Sequence, residues 1–260
     1  MQRSIAFNFS HVFTGIIWNI KVSDERDIMI VEIRDSDKKE VRFSALDYRQ
    51  NKFLWKDKAM EESWWLNLSA VSGDIILFTL YTDTNNPDKK STLAYSAYNG
   101  NMIWWNNDFS ISSAGNGVAV GFSEKYGKRE VILDLKTGNT TNLQPGAHLT
   151  SREKTIRPHQ YVDDHPYFES VRRFFSQKFN LLPVAALEYL EHESLIFISC
   201  YFKQNELANY LFVLSVDGTL LLKEQIGERL KGIGLDTFFI LSGSLFFVKN
   251  KVELVSYNIL

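Results

Sequence analysis

Histidines and aspartates are concentrated in one stretch of the chain, residues 145–182. It holds three of the five histidines, among them His159 and His165, with Asp163 and Asp164 between these two. Imidazole and carboxylate groups are the side chains that bind Zn²⁺ or Mg²⁺ in proteins. Their spacing matches no established metal motif, so the sequence predicts no metal site. The remaining alternatives are a site for a ligand or partner and a polar loop that only faces water.

Two adjacent arginines, Arg172 and Arg173, lie in the same stretch. A guanidinium group binds carboxylates and phosphates with two parallel hydrogen bonds, so each arginine is a candidate ligand-binding residue. Neighbouring residues on a helix point about 100° apart. The two arginines therefore do not readily face the same ligand.

A second type of chemistry requires paired carboxylates. Glycosidases use two of them, held some 5–10 Å apart on either side of the scissile bond. Glu188 and Asp236 lie at the starts of two neighbouring predicted repeats, so they are the weak catalytic candidates of this sequence. The chain contains no Gly-rich phosphate loop, Gly-x-Ser-x-Gly turn or His-Glu-x-x-His helix motif. Cys200 lies inside the apolar run LIFISCYF, which is typical of an inert buried thiol.

The elements that position these residues are repeated. Residues 18–35 and 65–83 align with a tryptophan at the same place and an Asp-Ile pair at the start of a second strand. In both copies a polar hairpin then leads to a third short apolar run, and a tight turn leads to a fourth. Copies begin near residues 18, 65, 109, 184 and 237. The pattern predicts five antiparallel sheets of four strands each.

The last copy is one strand short, and an unassigned strand, IAFNF, lies at the other end of the chain. Pairing of this strand with VELVSYN completes the fifth sheet. Such sharing of one blade by both termini is how β-propellers close. We therefore predict an all-β, five-bladed β-propeller over residues 1–260, formed as a single domain.

Residues 145–182 interrupt this pattern and are predicted to be an insertion between the third and fourth blades. Within 167–179, the residues Phe168, Val171, Phe175 and Phe179 have helical spacing, and Pro166 is acceptable at a helix start. We predict an inserted loop followed by a short helix. The alternative is a degenerate sixth blade.

The tryptophans are predicted to pack between blades where the repeat fixes their positions. Trp18 and Trp65 occupy one repeat position, whereas Trp55 and Trp105 occupy another. Neighbouring residues on a strand face opposite sides of the sheet. Trp64 is therefore the aromatic candidate for ligand binding.

The segment ALDYRQNKFLW (45–55) resembles the tryptophan-docking signature of quinoprotein-like (PQQ-repeat-like) β-propellers, in which Ala-x-Asp, a Thr-Gly turn and a Trp follow one another. Ala45, Asp47 and Trp55 match, and Gln50-Asn51 replace Thr-Gly. ILDLKTG (132–138) matches without the Trp. The resemblance implies the quinoprotein-like propeller class and similarity to bacterial families of domains of unknown function. It implies no cofactor here, because the paired cysteines or metal cluster that would support quinone binding are missing.

Composition limits the partners. The net charge is −2, with 29 basic and 31 acidic residues, so no basic field favours nucleic acid. No apolar run approaches the ~20 residues of a membrane span. One cysteine and no recognisable leader favour the cytoplasm. We predict a non-catalytic binding or scaffold module that uses the face bearing the insertion; the alternative is a glycan-active hydrolase.

Overall fold

The computed structural model of the chain describes residues 3–60, 63–83, 85–123, 125, 127, 129–142, 154–203 and 205–260. They fall into two compact units. Unit 1 combines Met1–Phe13 with Lys154–Leu260, and unit 2 is Thr14–Glu153. The assignment of one domain to the whole chain stays a prediction.

Nearly all regular structure is β. In chain order, the described elements are β1 (Ile5–Val12), β2 (Ile16–Val22), β3 (Ile28–Asp35), β4 (Glu40–Asp47), β5 (Lys52–Ala59), β6 (Leu66–Ser72), β7 (Ile75–Tyr81), β8 (Lys90–Ser96), β9 (Met102–Asn106), β10 (Phe109–Gly115), β11 (Val118–Ser123), β12 (Arg129–Asp134), β13 (Thr155–Ile156), β14 (His159–Val162), α1 (Pro166–Phe179), β15 (Val184–His192), β16 (Leu195–Lys203), β17 (Leu207–Ser215), β18 (Leu220–Leu230), β19 (Phe238–Leu241), β20 (Ser244–Lys249) and β21 (Glu253–Ile259). A 3₁₀ turn, Ser63–Trp65, precedes β6.

The strands form five antiparallel sheets in the described parts of the chain. In unit 2, sheet 1 is β2-β3-β4-β5, sheet 2 is β6-β7-β8-β9 and sheet 3 is β10-β11-β12. In unit 1, sheet 4 is β14-β15-β16-β17-β18 and sheet 5 is β1-β21-β20-β19-β13. The predicted all-β class, built from several antiparallel sheets, is thereby confirmed. In sheet 3, the fourth strand is reduced to a bridge between Leu133 and Thr140.

The N-terminal strand completes the last sheet, as predicted. β1 pairs with β21 from Ile5 opposite Ile259 to Val12 opposite Glu253. Phe9 is buried and its ring contacts Phe246 at a centroid distance of 6.0 Å. The two ends of the chain are therefore neighbouring strands in unit 1.

Two tryptophans link consecutive sheets of unit 2. Trp55 Nε1 donates to the carbonyl of Ala97 at 2.8 Å, and Trp104 Nε1 donates to the carbonyl of Leu135 at 2.7 Å. Trp55 pairs with Ala45 and Trp104 with Ala94, so the two rings occupy the same repeat position. Each ring on a fourth strand thus binds the turn of the next sheet.

The turn glycine accepts this ring. Gly138 has φ +70°, and a Cβ there would lie 2.8 Å from the Trp104 ring. Gly100 has φ +66° and sits against Trp55 in the same way, at 3.2 Å. A side chain at either position would therefore meet both backbone strain and a ring.

The predicted packing roles of Trp18, Trp65 and Trp105 are wrong, because all three side chains are exposed. Trp18 lies at an irregularity of register in β2, and 64% of its surface is exposed. Trp104, not Trp105, is the equivalent of Trp55, because it lies opposite Ala94 as Trp55 lies opposite Ala45, beside the same irregularity of register. Trp65 and Trp105 are 45% and 48% exposed.

The insertion does more than predicted. Its described part, 154–182, contributes β13 to the edge of β19 and β14 to the edge of β15, in addition to the predicted helix α1. These strands extend sheets 5 and 4 and do not form a sheet of their own. Residues 145–153, which include His148, lie outside the described residues. The number of blades stays a prediction.

The helix has the predicted position and orientation. Phe168 and Phe175 are buried on one face of sheet 4, where Val171 and Phe179 also pack. Its N-terminus is capped by His165, whose Nδ1 accepts from Tyr167 N at 3.2 Å. Within the described residues, no helix has the length and apolarity needed to cross a bilayer.

Replacement of Trp104 by Phe should lower the free energy of unfolding by about 1–3 kcal/mol, because the carbonyl of Leu135 loses its donor. The neighbouring exposed ring is the matched control, and Trp105→Phe should change stability by less than about 0.5 kcal/mol. Urea unfolding measures both. Equal losses for the two variants would contradict the inter-sheet role of Trp104.

Candidate functional site

A cavity of about 580 Å³ lies between α1 and one face of sheet 4, entirely within unit 1. This volume falls in the range of roughly 300–1,000 Å³ that small-molecule sites occupy. The described lining residues are Tyr161, Tyr167, Ser170, Val171, Phe174, Tyr189, Glu191, Ile196, Ile198, Leu214, Val216, Asp217 and Gly218. The walls are mostly apolar and aromatic, which is typical of a binding pocket.

One wall is a single helix face. Tyr167, Ser170, Val171 and Phe174 follow one another at the spacing i, i+3, i+4, i+7, which places them on the same side of α1. This face adjoins the one that buries Phe168 and Phe175, the latter against Phe212. The burial of those phenylalanines therefore fixes the rotation of α1, so that its neighbouring face borders the cavity.

The opposite wall comes from paired residues on sheet 4. Tyr189 lies opposite Ile198 across β15 and β16, and Ile196 lies opposite Leu214 across β16 and β17. Because side chains alternate between sheet faces, these residues share the face that α1 covers. The wall is therefore rigid backbone carrying a Tyr and three aliphatic side chains.

Three rings form the corner where β14 meets α1. His165 stacks on Tyr167 with a centroid distance of 5.4 Å and an interplanar angle of 18°. Tyr161 lies 4.9 Å from the His165 ring and 5.3 Å from the Tyr167 ring. The cap that begins the helix thus also orients two tyrosines that line the cavity.

Tyr189 and Glu191 form a hydrogen-bonded pair in the lining. The Tyr189 hydroxyl donates to Glu191 Oε1 at 2.5 Å. Burial, and then this hydrogen bond to the carboxylate, raise the pKa of Tyr189 well above its usual range. The phenol therefore stays protonated and acts as a hydrogen-bond donor.

The β17–β18 turn supplies a second carboxylate. Asp217 accepts hydrogen bonds from the Ser215 hydroxyl and from Thr219 N, the latter at 3.1 Å. These bonds lower the pKa of Asp217, so it is ionised at neutral pH. Gly218 follows with φ +82°, and a Cβ there would lie 3.8 Å from the Phe174 ring.

None of the polar residues predicted from the insertion is among the described residues that line this cavity. His159 is exposed on β14, and Asp163 and Asp164 are exposed in the turn before α1. His165 contributes only through the rings it supports. Among the described residues, no three His, Cys, Asp or Glu side chains form a group able to hold a metal ion.

The two arginines face different surroundings, as their helical spacing predicts. Arg173 is exposed, whereas Arg172 is half-buried and pairs with Glu169 at 3.4 Å. Arg172 Nε is buried and has no hydrogen-bond partner among the described residues. The two side chains do not form a shared anion clamp.

Trp64, the aromatic residue predicted to bind a ligand, does not line the cavity, and its binding role stays a prediction. Trp64 belongs to unit 2, where it is half-buried against the apolar core of sheets 1 and 2. The guanidinium of Arg34 lies 5.6 Å from its ring and 5.4 Å from the Trp18 ring. The 3₁₀ turn before β6 puts Trp65, not Trp64, on the outside.

Arg34 is itself fixed by a buried partner. Its Nε donates to Glu32 Oε1 at 2.7 Å, and its Nη2 donates to the carbonyl of Leu66 and to Asn67 Oδ1. Glu32 Oε2 accepts from Leu68 N at 3.0 Å. This network ties sheet 1 to sheet 2.

Both carboxylates of the predicted catalytic pair are engaged in contacts within the fold. Glu188 is 1% exposed, and its two oxygens accept from Asp236 N at 2.5 Å, from Thr237 N at 2.9 Å and from the Thr237 hydroxyl. The Asp236 carboxylate pairs with Arg157 at 3.1 Å. Glu188 holds the backbone that enters β19.

The residues that line the cavity were mostly missed by sequence reasoning. Tyr161 lies in a strand too short to show an alternating pattern, and Asp217 reads as an ordinary turn residue before Gly218. The available signal was the second helix face at 167, 170, 171 and 174. These positions adjoin the apolar face at 168 and 175, so the sequence predicts a helix whose contact surface is wider than one narrow apolar face.

Comparison with known proteins gives one family and several structures. Residues 22–104, less than half of the chain, match the family described as "Domain of unknown function (DUF4905)". This range covers β3 to β8, most of β9 and only the last residue of β2, and it includes none of the residues that line the cavity. No curated protein matches the chain significantly.

Three solved structures are similar in fold. BamB from Moraxella catarrhalis is 10% identical, with 98% of this chain and 97% of that chain covered and a TM-score of 0.35. The apo AtxE2 isopeptidase is 12% identical, with 95% and 49% covered and a TM-score of 0.39, so this chain spans about half its length. The β-propeller domain of the Trilobed protease from Pyrococcus furiosus is 10% identical, with 90% and 64% covered and a TM-score of 0.32. All three are distant likenesses.

Substitution of Glu188 by Gln should destabilise the fold by about 1–3 kcal/mol, because an amide nitrogen would face the backbone donors of residues 236 and 237. Asp236→Asn is the matched control. It removes only a surface ion pair, for which less than about 1 kcal/mol is expected. Denaturant unfolding at neutral pH compares them. Unchanged stability of the Glu188 variant would contradict the backbone-holding role.

The stability difference between wild type and Glu188→Gln should also depend on pH. Burial is the main cause that raises the pKa of Glu188 above its ordinary 4.5, outweighing its hydrogen bonds, and the charge of Asp236 adds to it. As pH rises above 4.5, the unfolded chain therefore loses this proton first, and wild type loses stability relative to the variant. Unfolding free energies measured from pH 4.5 to neutral should show the difference shrinking; a difference that grows would contradict the raised pKa.

Proposed function

We propose that the chain is a non-catalytic binding module whose ligand occupies the cavity between α1 and sheet 4. The observation that carries this proposal is the cavity itself, because it combines a ligand-sized volume with aromatic and aliphatic walls and a few polar groups. It is built on the predicted insertion, which agrees with the expectation that the insertion provides the binding surface.

The chemistry of the lining supports binding without catalysis. Tyr189 is a protonated donor that is already engaged by Glu191. The hydroxyl of Ser170 donates to the backbone carbonyl of Pro166 at 3.1 Å, and a carbonyl oxygen is not a general base. Cys200 lies beneath the cavity in the same apolar cluster, and burial raises the pKa of its thiol well above its ordinary value. None of these groups is therefore an activated nucleophile.

The hydrolase alternative has no observation in its favour. The Glu188 carboxylate accepts from backbone donors, and the Asp236 carboxylate pairs with Arg157.

We also propose a cytoplasmic bacterial protein of the quinoprotein-like propeller class that needs no cofactor and no nucleic acid. The support for the compartment is the lone, buried Cys200, and the support for the class is the tryptophan contact between sheets.

A neutral fluorescent probe tests the pocket. 1-N-phenylnaphthylamine should bind to wild type with a rise in fluorescence, because the apolar walls remove it from water. Ser170→Trp should weaken its binding at least about tenfold by filling the cavity, an effect of the order of 1.4 kcal/mol.

Ser176→Trp is the control, since Ser176 lies on α1, is exposed and does not line the cavity. Circular dichroism and thermal unfolding establish that all variants are folded. The proposal is overturned if wild type does not bind the probe, or if both tryptophan variants bind it as tightly as wild type does.

A further inference from the structure

We infer that the cavity selects an organic cation, a ligand that carries an ammonium or guanidinium group on an apolar body. This inference rests on the proposed function, because it names the ligand class of the same cavity. The observation behind it is the charge of the lining, which pairs two carboxylates with tyrosine and phenylalanine rings.

The charged lining is of one sign. Glu191 and Asp217 line the cavity, and the described lining residues include no Lys, Arg or His. Both are exposed residues at the ends of strands, Glu191 on β15 and Asp217 after β17. A hydrogen bond from the Tyr189 hydroxyl holds the side chain of Glu191, and one from the Ser215 hydroxyl holds the side chain of Asp217. A cationic group at the opening would therefore find negative charge that is already positioned.

The aromatic rings of the lining also attract a cation. Tyr161, Tyr167, Phe174 and Tyr189 line the cavity, and the face of an aromatic ring attracts a cation through its quadrupole. A neutral ligand of equal size would bury the same apolar area. It would also displace water from the two carboxylates without giving them a counter-charge, which is unfavourable. An anion would meet repulsion in addition.

One cation lies close to the cavity and acts against this selection. Lys178 Nζ is 3.8 Å from the position that a Cβ on Gly218 would take. Lys223 Nζ also lies near, 5.6 Å from the Phe212 ring, but neither lysine is among the described residues that line the cavity. Removal of this amine by Lys178→Gln should therefore tighten the binding of a cation and leave a neutral ligand almost unaffected.

Three probes of equal skeleton and different charge test the inference: 4-phenylbutylammonium, 4-phenylbutan-1-ol and 4-phenylbutyrate. Each displaces 1-N-phenylnaphthylamine, or is followed by saturation-transfer NMR, at constant ionic strength. The ammonium should bind about tenfold more tightly than the alcohol, and the carboxylate should bind more weakly than the alcohol. Equal affinities, or a preference for the carboxylate, would overturn the cation selection while the binding proposal stands.

The double variant Glu191→Gln with Asp217→Asn locates the effect. It should weaken the ammonium probe about tenfold and change the alcohol less than about twofold. Glu169→Gln is the matched control, an exposed acid on α1 outside the lining. Equal weakening by the control would mean a general surface-charge effect and would overturn the inference. If no probe binds to wild type at all, the proposed function itself fails.

Discussion

Unpaired backbone groups at sheet edges are the constraint on which the rest of unit 1 depends. β21 would be an exposed edge without β1, and the chain satisfies it with its own first strand, although the two are separated by nearly the whole sequence. Because the entropy of closing a loop grows only with the logarithm of its length, this separation costs little more than a shorter one. β13 and β14 satisfy the opposite edges of sheets 5 and 4.

The position of the candidate site follows from this edge pairing. β14 ends at Val162 beside β15, so the helix that starts after His165 begins at the edge of sheet 4 and lies across its face. Phe168 and Phe175 then set its rotation. The cavity is the space left where the neighbouring helix face, with Tyr167 and Phe174, does not reach the sheet. A binding site thus arises beside a packing interface without a strand or loop dedicated to it.

Acidic residues within apolar strands have structural roles in both units. Glu32 accepts from Leu68 N across sheets 1 and 2, and Glu188 accepts from the amides of Asp236 and Thr237 across sheets 4 and 5. Bulges and strand starts leave such amides without ladder partners, and a buried carboxylate satisfies them. An acid on a first strand is therefore weak support for catalysis in this architecture.

The repeat, the strand order within each repeat and helix α1 are determined by the sequence, because each depends on the local period of apolar residues. Trp55 was identified as an inter-sheet residue for the same reason. Trp104 lies at the same ten-residue spacing from Ala94 as Trp55 does from Ala45, so the sequence also determined which of Trp104 and Trp105 is its equivalent. The pairing of the two terminal strands follows from the number of strands in each repeat. The candidate site, in contrast, was decided by tertiary structure. Tyr161, Phe174, Tyr189 and Asp217 carry no shared motif, and they meet only because the edge of sheet 4 recruits β14 and lays α1 across its face.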